Sequence, residues 1–401
     1  MSLMMWRKQR SGSQSGPRRA WRLWLTWLQA KTSSEKVVSR QRKRLRLLAI
    51  PLPVAGLILA VLVPGRSFIL AGEGGIPATA RAAGGGYPIP PCPKWALGNP
   101  ELPSPRARAL VAFDPALGQL VLYGGQPALC QVTKSLRRNL NETWLWNGHR
   151  WLSTDPQGSP VDSPVEGGMV YDSRLHEMVM VAWLSSPNLQ TWLFNGKRWR
   201  ELRPKVSPPT GLVHLSYDAA TGDVILLSVG TTNAVWTFNG QGWVPGPSLP
   251  SSTSFFPLAT VYDPTLRSVI AVGRSGTGEF EALLLAKETW EHLETRGLLP
   301  ALEPTILQLA MAFDQRLNEV VVYYGSNPAS PLVDETWVLR GKDWVQLRTI
   351  AEPSARRLSS LACLDEEGDL VLFGGVSAAR FYNDLWRFNE TGWVRVSYTA
   401  A

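Results

Sequence analysis

A segment in which two aromatic positions lie seven residues apart around an Asn-Gly or related pair recurs along this chain, and it limits what the chain can fold into. The first copy has Trp144 and Trp151 around Asn147-Gly148. The later copies are Trp192 with Trp199, Trp236 with Trp243, Leu283 with Trp290, Trp337 with Trp344, and Trp386 with Trp393. An Asn-Gly pair between aromatic and β-branched residues favours a type I′ turn, in which both central residues need positive φ. Each copy therefore predicts a tight β-hairpin.

A second repeated block precedes each hairpin and predicts two more strands. It consists of an apolar residue, usually aromatic, then Asp, a short turn-forming stretch and an apolar run. The six copies begin at Phe113-Asp114, Tyr171-Asp172, Tyr217-Asp218, Tyr262-Asp263, Phe313-Asp314 and Leu364-Asp365. An Asp that opens a turn can accept hydrogen bonds from backbone amides two residues on, which explains its recurrence without a catalytic role. Block and hairpin together give four short strands, and the units recur every 45 to 58 residues, as in the blades of a propeller.

Two copies carry a further feature by which the chain resembles kelch repeats. Their second strand ends in a double glycine, Gly124-Gly125 and Gly374-Gly375, although Trp occupies the place where kelch repeats usually have Tyr. The resemblance covers roughly residues 105–397 and implies an all-β, six-bladed kelch-like β-propeller. Kelch propellers mostly bind partners, but some relatives, such as galactose oxidase and bacterial sialic-acid mutarotases, are enzymes.

The N-terminal part differs in composition from the repeats and predicts a membrane anchor. Residues 1–50 contain 13 Lys or Arg and one acid, Glu35, so they account for all of the net charge of +9. We expect residues 1–46 to be a basic cytoplasmic tail, 47–71 a single transmembrane helix, 72–104 a Gly/Pro-rich linker and 105–397 an extracytoplasmic propeller. The alternative is a signal peptide that is cleaved near residues 78–80.

The charge distribution limits the class of partner, and the positions of the cysteines leave one candidate disulfide. Outside its tail the chain is slightly acidic, so the propeller has no general basic surface for nucleic-acid phosphates. Cys92 and Cys130 lie in predicted irregular segments and are candidates for a disulfide, whereas Cys363 lies in an apolar strand and is expected to be a small buried hydrophobe.

Signatures of catalysis and of cofactor binding are absent from the sequence. The four histidines, His149, His176, His214 and His292, fall at different registers of different repeats, so no metal site and no cofactor is predicted. The second tryptophan of each hairpin is expected to pack between neighbouring blades. Trp183 stands where another blade has its double glycine, and it is therefore a candidate ligand contact.

One face of the predicted propeller is expected to carry function. The connections on that face are long and irregular, and binding residues usually lie on such loops; we call it the irregular-loop face. The leading hypothesis is binding of a protein, an anionic ligand or a carbohydrate. One alternative is a carbohydrate-active enzyme or sugar isomerase using acids such as Glu166, Glu279, Glu303 or Asp334, and a third possibility is a structural surface module.

The place where the ring closes has a local excess of cations. Arg106 and Arg357 each lie eight residues before the Asp of the first or last repeat, and the long loops of those repeats add Lys134, Arg137, Arg138 and Arg380. Because the rest of the propeller is slightly acidic, this cluster predicts an anion-binding site for a carboxylated or phosphorylated ligand. The alternative is that Arg106 and Arg357 pair with acids of neighbouring blades while the loop cations are solvated.

Overall fold

The computed structural model describes residues 101–127, 140–162, 164, 166–184, 188–230, 233–250, 255–297, 307–325, 334–364, 368–389 and 391–397. The predicted tail, transmembrane segment and most of the linker, including Cys92, lie outside these ranges, as do Cys130, Lys134, Arg137, Arg138 and Glu303. The described residues form 26 strands and no helix. Accordingly, no membrane-spanning helix is found within those ranges.

Six four-stranded antiparallel sheets follow one another along the chain. The first three consist of β2 Leu110–Asp114, β3 Gln119–Tyr123, β5 Thr143–Trp146 and β6 Trp151–Thr154; β7 Glu166–Asp172, β8 Glu177–Trp183, β9 Gln190–Phe194 and β10 Trp199–Leu202; and β11 Leu212–Asp218, β12 Asp223–Val229, β13 Ala234–Phe238 and β14 Trp243–Pro245. The last three consist of β15 Phe256–Asp263, β16 Ser268–Arg274, β17 Phe280–Ala286 and β18 Thr289–His292; β19 Ala310–Asp314, β20 Glu319–Gly325, β21 Asp334–Arg340 and β22 Asp343–Leu347; and β23 Ser360–Cys363, β24 Leu370–Phe373, β25 Leu385–Asn389 and β26 Gly392–Arg395. A separate pair, β1 Arg106–Ala107 and β4 Gln126–Pro127, lies beside the first sheet.

The six sheets form a closed ring. The first strand of every sheet contacts the first strand of the next, and β23 of the last sheet contacts β2 of the first. The chain is therefore a six-bladed β-propeller, as the repeats predict. We number the blades 1 to 6 in chain order and call the first strand of each blade its inner strand.

The turn after each inner strand follows one local rule. In blades 1 to 5, Oδ1 of the blade Asp accepts a hydrogen bond from the amide two residues on, as Asp114 does from Ala116 at 3.0 Å. The fourth residue after it has positive φ in all six blades: Gly118, His176, Gly222, Arg267, Asn318 and Gly368. In blade 6 this register puts Leu364, not Asp365, at the Asp position, so the alignment of Leu364-Asp365 with Phe113-Asp114 was wrong by one residue.

The predicted hairpins are present, but the turn type differs from the prediction. In blade 1, Trp146 pairs with Trp151, which leaves a loop of four residues rather than two. Gly148 has a φ of 91°, whereas Asn147 is not among the positive-φ residues. Instead Oδ1 of Asn147 accepts hydrogen bonds from the amides of His149 and Arg150 at 3.1 and 3.0 Å. The Asn is thus retained for its side chain and the Gly for its backbone.

The second tryptophan of each hairpin lies in the interface with the preceding blade. Trp151, Trp199, Trp243, Trp290, Trp344 and Trp393 are all buried. The ring of Trp199 lies 5.2 Å from that of Tyr123 in blade 1, and the ring of Trp151 lies 5.4 Å from that of Phe373 in blade 6. Each buried indole removes a large apolar surface from water, worth on the order of 4 to 6 kcal/mol before conformational entropy is counted. This agrees with the packing role expected from the sequence.

Candidate functional site

Arg106 lies on the irregular-loop face but is fully buried. Its guanidinium donates hydrogen bonds to the carbonyls of Ser104 and Gly124, at 2.8 and 2.9 Å, and forms an ion pair with Glu142. The backbone of Arg106 meanwhile bonds to blade 6, since its amide donates to Tyr382 O and its carbonyl accepts from Gly375 N, both at 2.9 Å. Arg106 therefore joins the first and last blades from inside the protein, and we do not include it in a ligand site.

The structural equivalent of Arg106 in blade 6 is Arg356 rather than Arg357. Arg356 is also buried and donates to the carbonyls of Ser354 and Gly374, at 2.9 and 3.1 Å, and to both oxygens of Asp384. Burial favours the protonated form of Asp384, but the hydrogen bonds and charge of Arg356 outweigh it and lower the pKa of that carboxyl. The pairing of Arg106 with Arg357 came from the same one-residue misalignment at Asp365.

Two of the predicted cations lie closer to solvent. Arg357 is partly exposed, and its backbone forms two hydrogen bonds with Val376, at 2.9 and 3.0 Å. Arg380 is exposed, with its guanidinium carbon 4.6 Å from the ring centre of Tyr382. Because Lys134, Arg137 and Arg138 lie outside the described residues, an anion site that combines them with Arg357 and Arg380 stays a prediction.

The other residues singled out by the sequence lie in separate blades. Trp183 ends β8, is partly exposed and pairs across the sheet with Glu166. Glu166 forms an ion pair with Arg108 of blade 1. Glu279 and Asp334 are exposed and belong to blades 4 and 5. In the part of the chain that the structure describes, no three His, Cys, Asp or Glu side chains come together as a metal site would require.

The first tryptophan of the hairpins, which the sequence reasoning left unassigned, behaves differently from the second. Trp192, Trp236, Trp337 and Trp386 are partly exposed, whereas Trp144 is buried. We call these four partly exposed side chains the rim tryptophans. They occupy one register of the third strand in blades 2, 3, 5 and 6.

Three of the rim tryptophans have a side chain with hydrogen-bonding groups beside them. Trp337 Nε1 donates to Glu335 at 2.8 Å, and Trp386 Nε1 donates to Asp384 at 2.9 Å. Trp192 lies directly across its hairpin from Glu201, and the Glu201 carboxylate accepts a hydrogen bond from Gln190 Nε2 at 3.3 Å.

The residue two positions before the rim tryptophan is Gln190, Glu335 or Asp384 in those blades but Ala234 in blade 3. A polar residue at this position does not identify the set from the sequence, because Glu142 precedes the buried Trp144 in the same way, whereas Ala234 precedes the partly exposed Trp236.

A cavity of about 120 Å³ lies on the ring axis, toward the irregular-loop face. It is lined by residues at or just before the first half of all six inner strands. Two side-chain atoms of lining residues, Nε2 of His214 and Oγ1 of Thr260, are buried and have no hydrogen-bond partner in the protein. Nothing in the sequence pairs these residues, since they come from different registers of blades 3 and 4.

Comparisons with known proteins identify the fold. No protein-family model and no curated protein matches the sequence. Among solved structures, a triple Arg-to-Ala mutant of AofleA from Arthrobotrys oligospora is 13% identical, with a TM-score of 0.50 over 75% of this chain and 89% of that one. An Asn-to-Gln mutant of Aleuria aurantia lectin in complex with Fucα1-6GlcNAc is 11% identical, with a TM-score of 0.50 over 73% of this chain and 96% of that one.

Identities this low show the propeller fold alone. They do not support membership of the kelch family or a likeness to galactose oxidase, and the kelch resemblance stays a prediction.

Proposed function

We propose that this protein is a carbohydrate-binding propeller that works without catalytic turnover and is held at a membrane by its N-terminal segment. The observation that carries the proposal is the set of rim tryptophans. Four partly exposed indoles recur at one register around a rigid ring, and three of them have a carboxylate beside them.

The chemistry of such a pair suits a sugar. An indole offers a flat apolar surface on which the C–H face of a pyranose can stack, and it loses little conformational entropy when it does so. In blades 2 and 5 the carboxylate near the indole, that of Glu201 or Glu335, is partly exposed and can accept hydrogen bonds from sugar hydroxyls, and bonds to a charged acceptor are stronger than neutral ones. In blade 6 Asp384 is buried and bonded to Arg356, so there the acid only positions the indole. In blades 5 and 6 the bond from Nε1 to Glu335 or Asp384 also fixes the orientation of the indole.

The structure of the Aleuria aurantia lectin mutant, which has a similar fold, is of a complex with Fucα1-6GlcNAc, so a fucosylated disaccharide is a sensible first probe. Individual sites of this kind are weak. Repetition around the ring raises the avidity for a surface that carries many glycans, because the second contact becomes intramolecular.

A glycan array followed by titration of single variants tests the proposal. Trp337→Ala and Trp386→Ala should each weaken binding, by roughly tenfold per site, because stacking and hydrogen bonding are lost together. Trp236→Ala is the matched control: it has the same register and similar exposure, but Ala234 replaces the acid, so its effect should be smaller. Thermal unfolding of each variant shows that the ring is intact. Absence of any glycan binding, or wild-type binding by all three variants, would contradict the proposal.

Display from a membrane is supported by the excess of basic residues directly before the uncharged stretch of residues 47–63. The full chain should stay in the membrane fraction after a high-salt wash, and residues 1–46 should be protected from protease added outside. A soluble mature protein that begins near Arg81 would instead show that the segment is a cleaved signal peptide.

A further inference from the structure

The residue that lies directly across the hairpin from each rim tryptophan differs in charge from blade to blade. It is Glu201 in blade 2, Pro245 in blade 3, Gln346 in blade 5 and Arg395 in blade 6. Residues directly opposite each other in an antiparallel pair project from the same face of the sheet, with Cβ atoms about 5 Å apart. A sugar stacked on the indole would therefore meet a different side chain in each blade.

In blade 6 the opposite residue is a cation. Arg395 is the last residue of β26, is exposed, and takes part in none of the ion pairs that the described residues form. Trp386 is partly exposed beside it. Because β26 is the outermost strand of its sheet, a ligand that approaches from outside the ring can contact the indole and the guanidinium together.

The acid beside Trp386 does not neutralise Arg395. Asp384 is buried, and both of its oxygens accept hydrogen bonds from Arg356. Burial raises the pKa of Asp384, but the hydrogen bonds and charge of Arg356, and then the charge of Arg395, lower it. Arg356 therefore balances the negative charge of Asp384, and the positive charge of Arg395 is left for a ligand.

The rim sites of blades 2 and 5 differ from that of blade 6 in charge. In blade 2, Glu201 forms an ion pair with Arg203 at 2.8 Å, so the charges there cancel. In blade 5, Gln346 is neutral, and Glu335 places a negative charge next to the indole of Trp337. A carboxylate on a sugar would therefore be repelled in blade 5 and attracted in blade 6.

We propose that the blade 6 site selects carbohydrates that carry a carboxylate, with the C–H face of a uronic acid stacked on Trp386 and its carboxylate bonded to the guanidinium of Arg395. The proposal rests on the carbohydrate binding proposed above and adds the class of sugar. Arg can donate two parallel N–H bonds to a carboxylate, and such bonds are stronger than bonds to a neutral hydroxyl. Trp386 stacks on acidic and neutral sugars alike, so Arg395 is the residue that determines specificity.

The test is ¹⁹F NMR of the full chain in detergent micelles, with its tryptophans replaced by fluorotryptophan. The resonances of Trp386 and Trp337 are identified by their loss in Trp386→Phe and Trp337→Phe. The ligands are two matched pairs, methyl glucuronide with methyl glucoside and methyl galacturonide with methyl galactoside, which differ only in the carboxylate. At least one uronide should shift the Trp386 resonance with roughly three- to tenfold higher affinity than its neutral partner. The Trp337 resonance should show no preference for a uronide.

Two variants and a change of salt identify the cause. Arg395→Gln should abolish the preference of the Trp386 site for the uronide and leave the neutral sugar bound. Lys205→Gln removes the same charge from an exposed position in the link after β10, so it should leave the preference unchanged. High salt should reduce the preference, because it screens the exposed guanidinium.

The outcomes separate this inference from the proposed function. If the Trp386 resonance responds equally to both members of each pair, or if Arg395→Gln keeps the preference, the selection of acidic sugars is overturned while carbohydrate binding stands. If no sugar shifts the resonance of either rim tryptophan, carbohydrate binding at these sites is itself contradicted, and the inference falls with it.

Discussion

Trp199 Nε1 donates a hydrogen bond of 3.0 Å to Thr143 Oγ1 across the interface between blades 2 and 1. The same bond joins Trp243 to Thr191 at 2.8 Å and Trp393 to Thr336 at 2.7 Å. At the other three interfaces the residue in the Thr position is Leu385, Val235 or Ala282. There the facing indoles, those of Trp151, Trp290 and Trp344, are buried without a partner for Nε1. The bond is thus present at three of the six interfaces, those between blades 1 and 2, 2 and 3, and 5 and 6, and blade 4 lacks it on both sides.

Replacement of Thr143 by Val should destabilise the propeller. The change preserves shape but leaves the buried Trp199 Nε1–H unsatisfied, so the free energy of unfolding should fall by about 1 to 3 kcal/mol. Chemical denaturation of Thr143→Val, Trp199→Phe and the double variant would measure the coupling. If the losses of the two single variants simply add, the hydrogen bond contributes nothing to stability.

The reverse change at blade 3 should be tolerated or stabilising. Val235→Thr has nearly the same volume and places a hydroxyl where Trp290 Nε1 lacks an acceptor, so the free energy of unfolding should stay constant or rise by up to about 1 kcal/mol. Val321→Thr is the matched control, because Val321 is fully buried and the nearby Trp393 already has its acceptor in Thr336. The Val321→Thr substitution should lower the free energy of unfolding by about 1 to 3 kcal/mol. Equal losses in both variants would show that the hydroxyl does not reach the indole.

Replacement of Arg106 should lower the free energy of unfolding, whereas replacement of Arg380 should leave it nearly unchanged. Arg106→Ala removes the partner of Glu142 and the donors to Ser104 and Gly124. It should lower the free energy of unfolding by about 2 to 4 kcal/mol, less than for a fully buried pair because the Glu142 side chain is 37% exposed. Arg380→Ala changes an exposed loop and should shift stability by less than about 0.5 kcal/mol. Urea titration of both variants checks this. An Arg106→Ala protein as stable as the unmodified chain would return Arg106 to the list of possible ligand contacts.

Burial of His214 should make stability depend on pH below neutrality. The folded-state pKa of His214, about 4, lies below the usual histidine pKa of 6.5, so between these values the unfolded chain binds the proton and the folded chain does not. The stabilising contribution of the neutral ring is complete above pH 6.5 and is lost progressively as the pH falls to 4, by up to about 3 kcal/mol. Denaturation at several pH values should show this slope, and His214→Gln should flatten it. The same slope in the variant would assign it to other groups.

The features that the sequence determined by itself are those fixed within a few residues. An Asp followed by a turn, and an Asn-Gly pair between two aromatic strands, each specify a connection between adjacent strands, so six repeats of the two predict six blades. Even there, the turn type depended on pairing: because Trp146 aligns with Trp151, the loop has four residues and only Gly148 takes positive φ. The one-residue error at Asp365 arose because Leu364 occupies the Asp register of blade 6, and only the strand pairing reveals it.

The tertiary structure decided everything that depends on contacts between blades. How deeply each tryptophan is buried follows from the neighbouring blade, since Trp192 and Trp199 look alike in the sequence and both pack toward blade 1, but only Trp199 is fully buried. Arg106 resembled an open cation in the sequence, but folding of blade 1 places its guanidinium against Glu142, and ring closure bonds its backbone to blade 6. His214 and Thr260 are 46 residues apart and share no motif. They line one cavity because the ring packs inner strands side by side around an axis, an arrangement that no local pattern encodes.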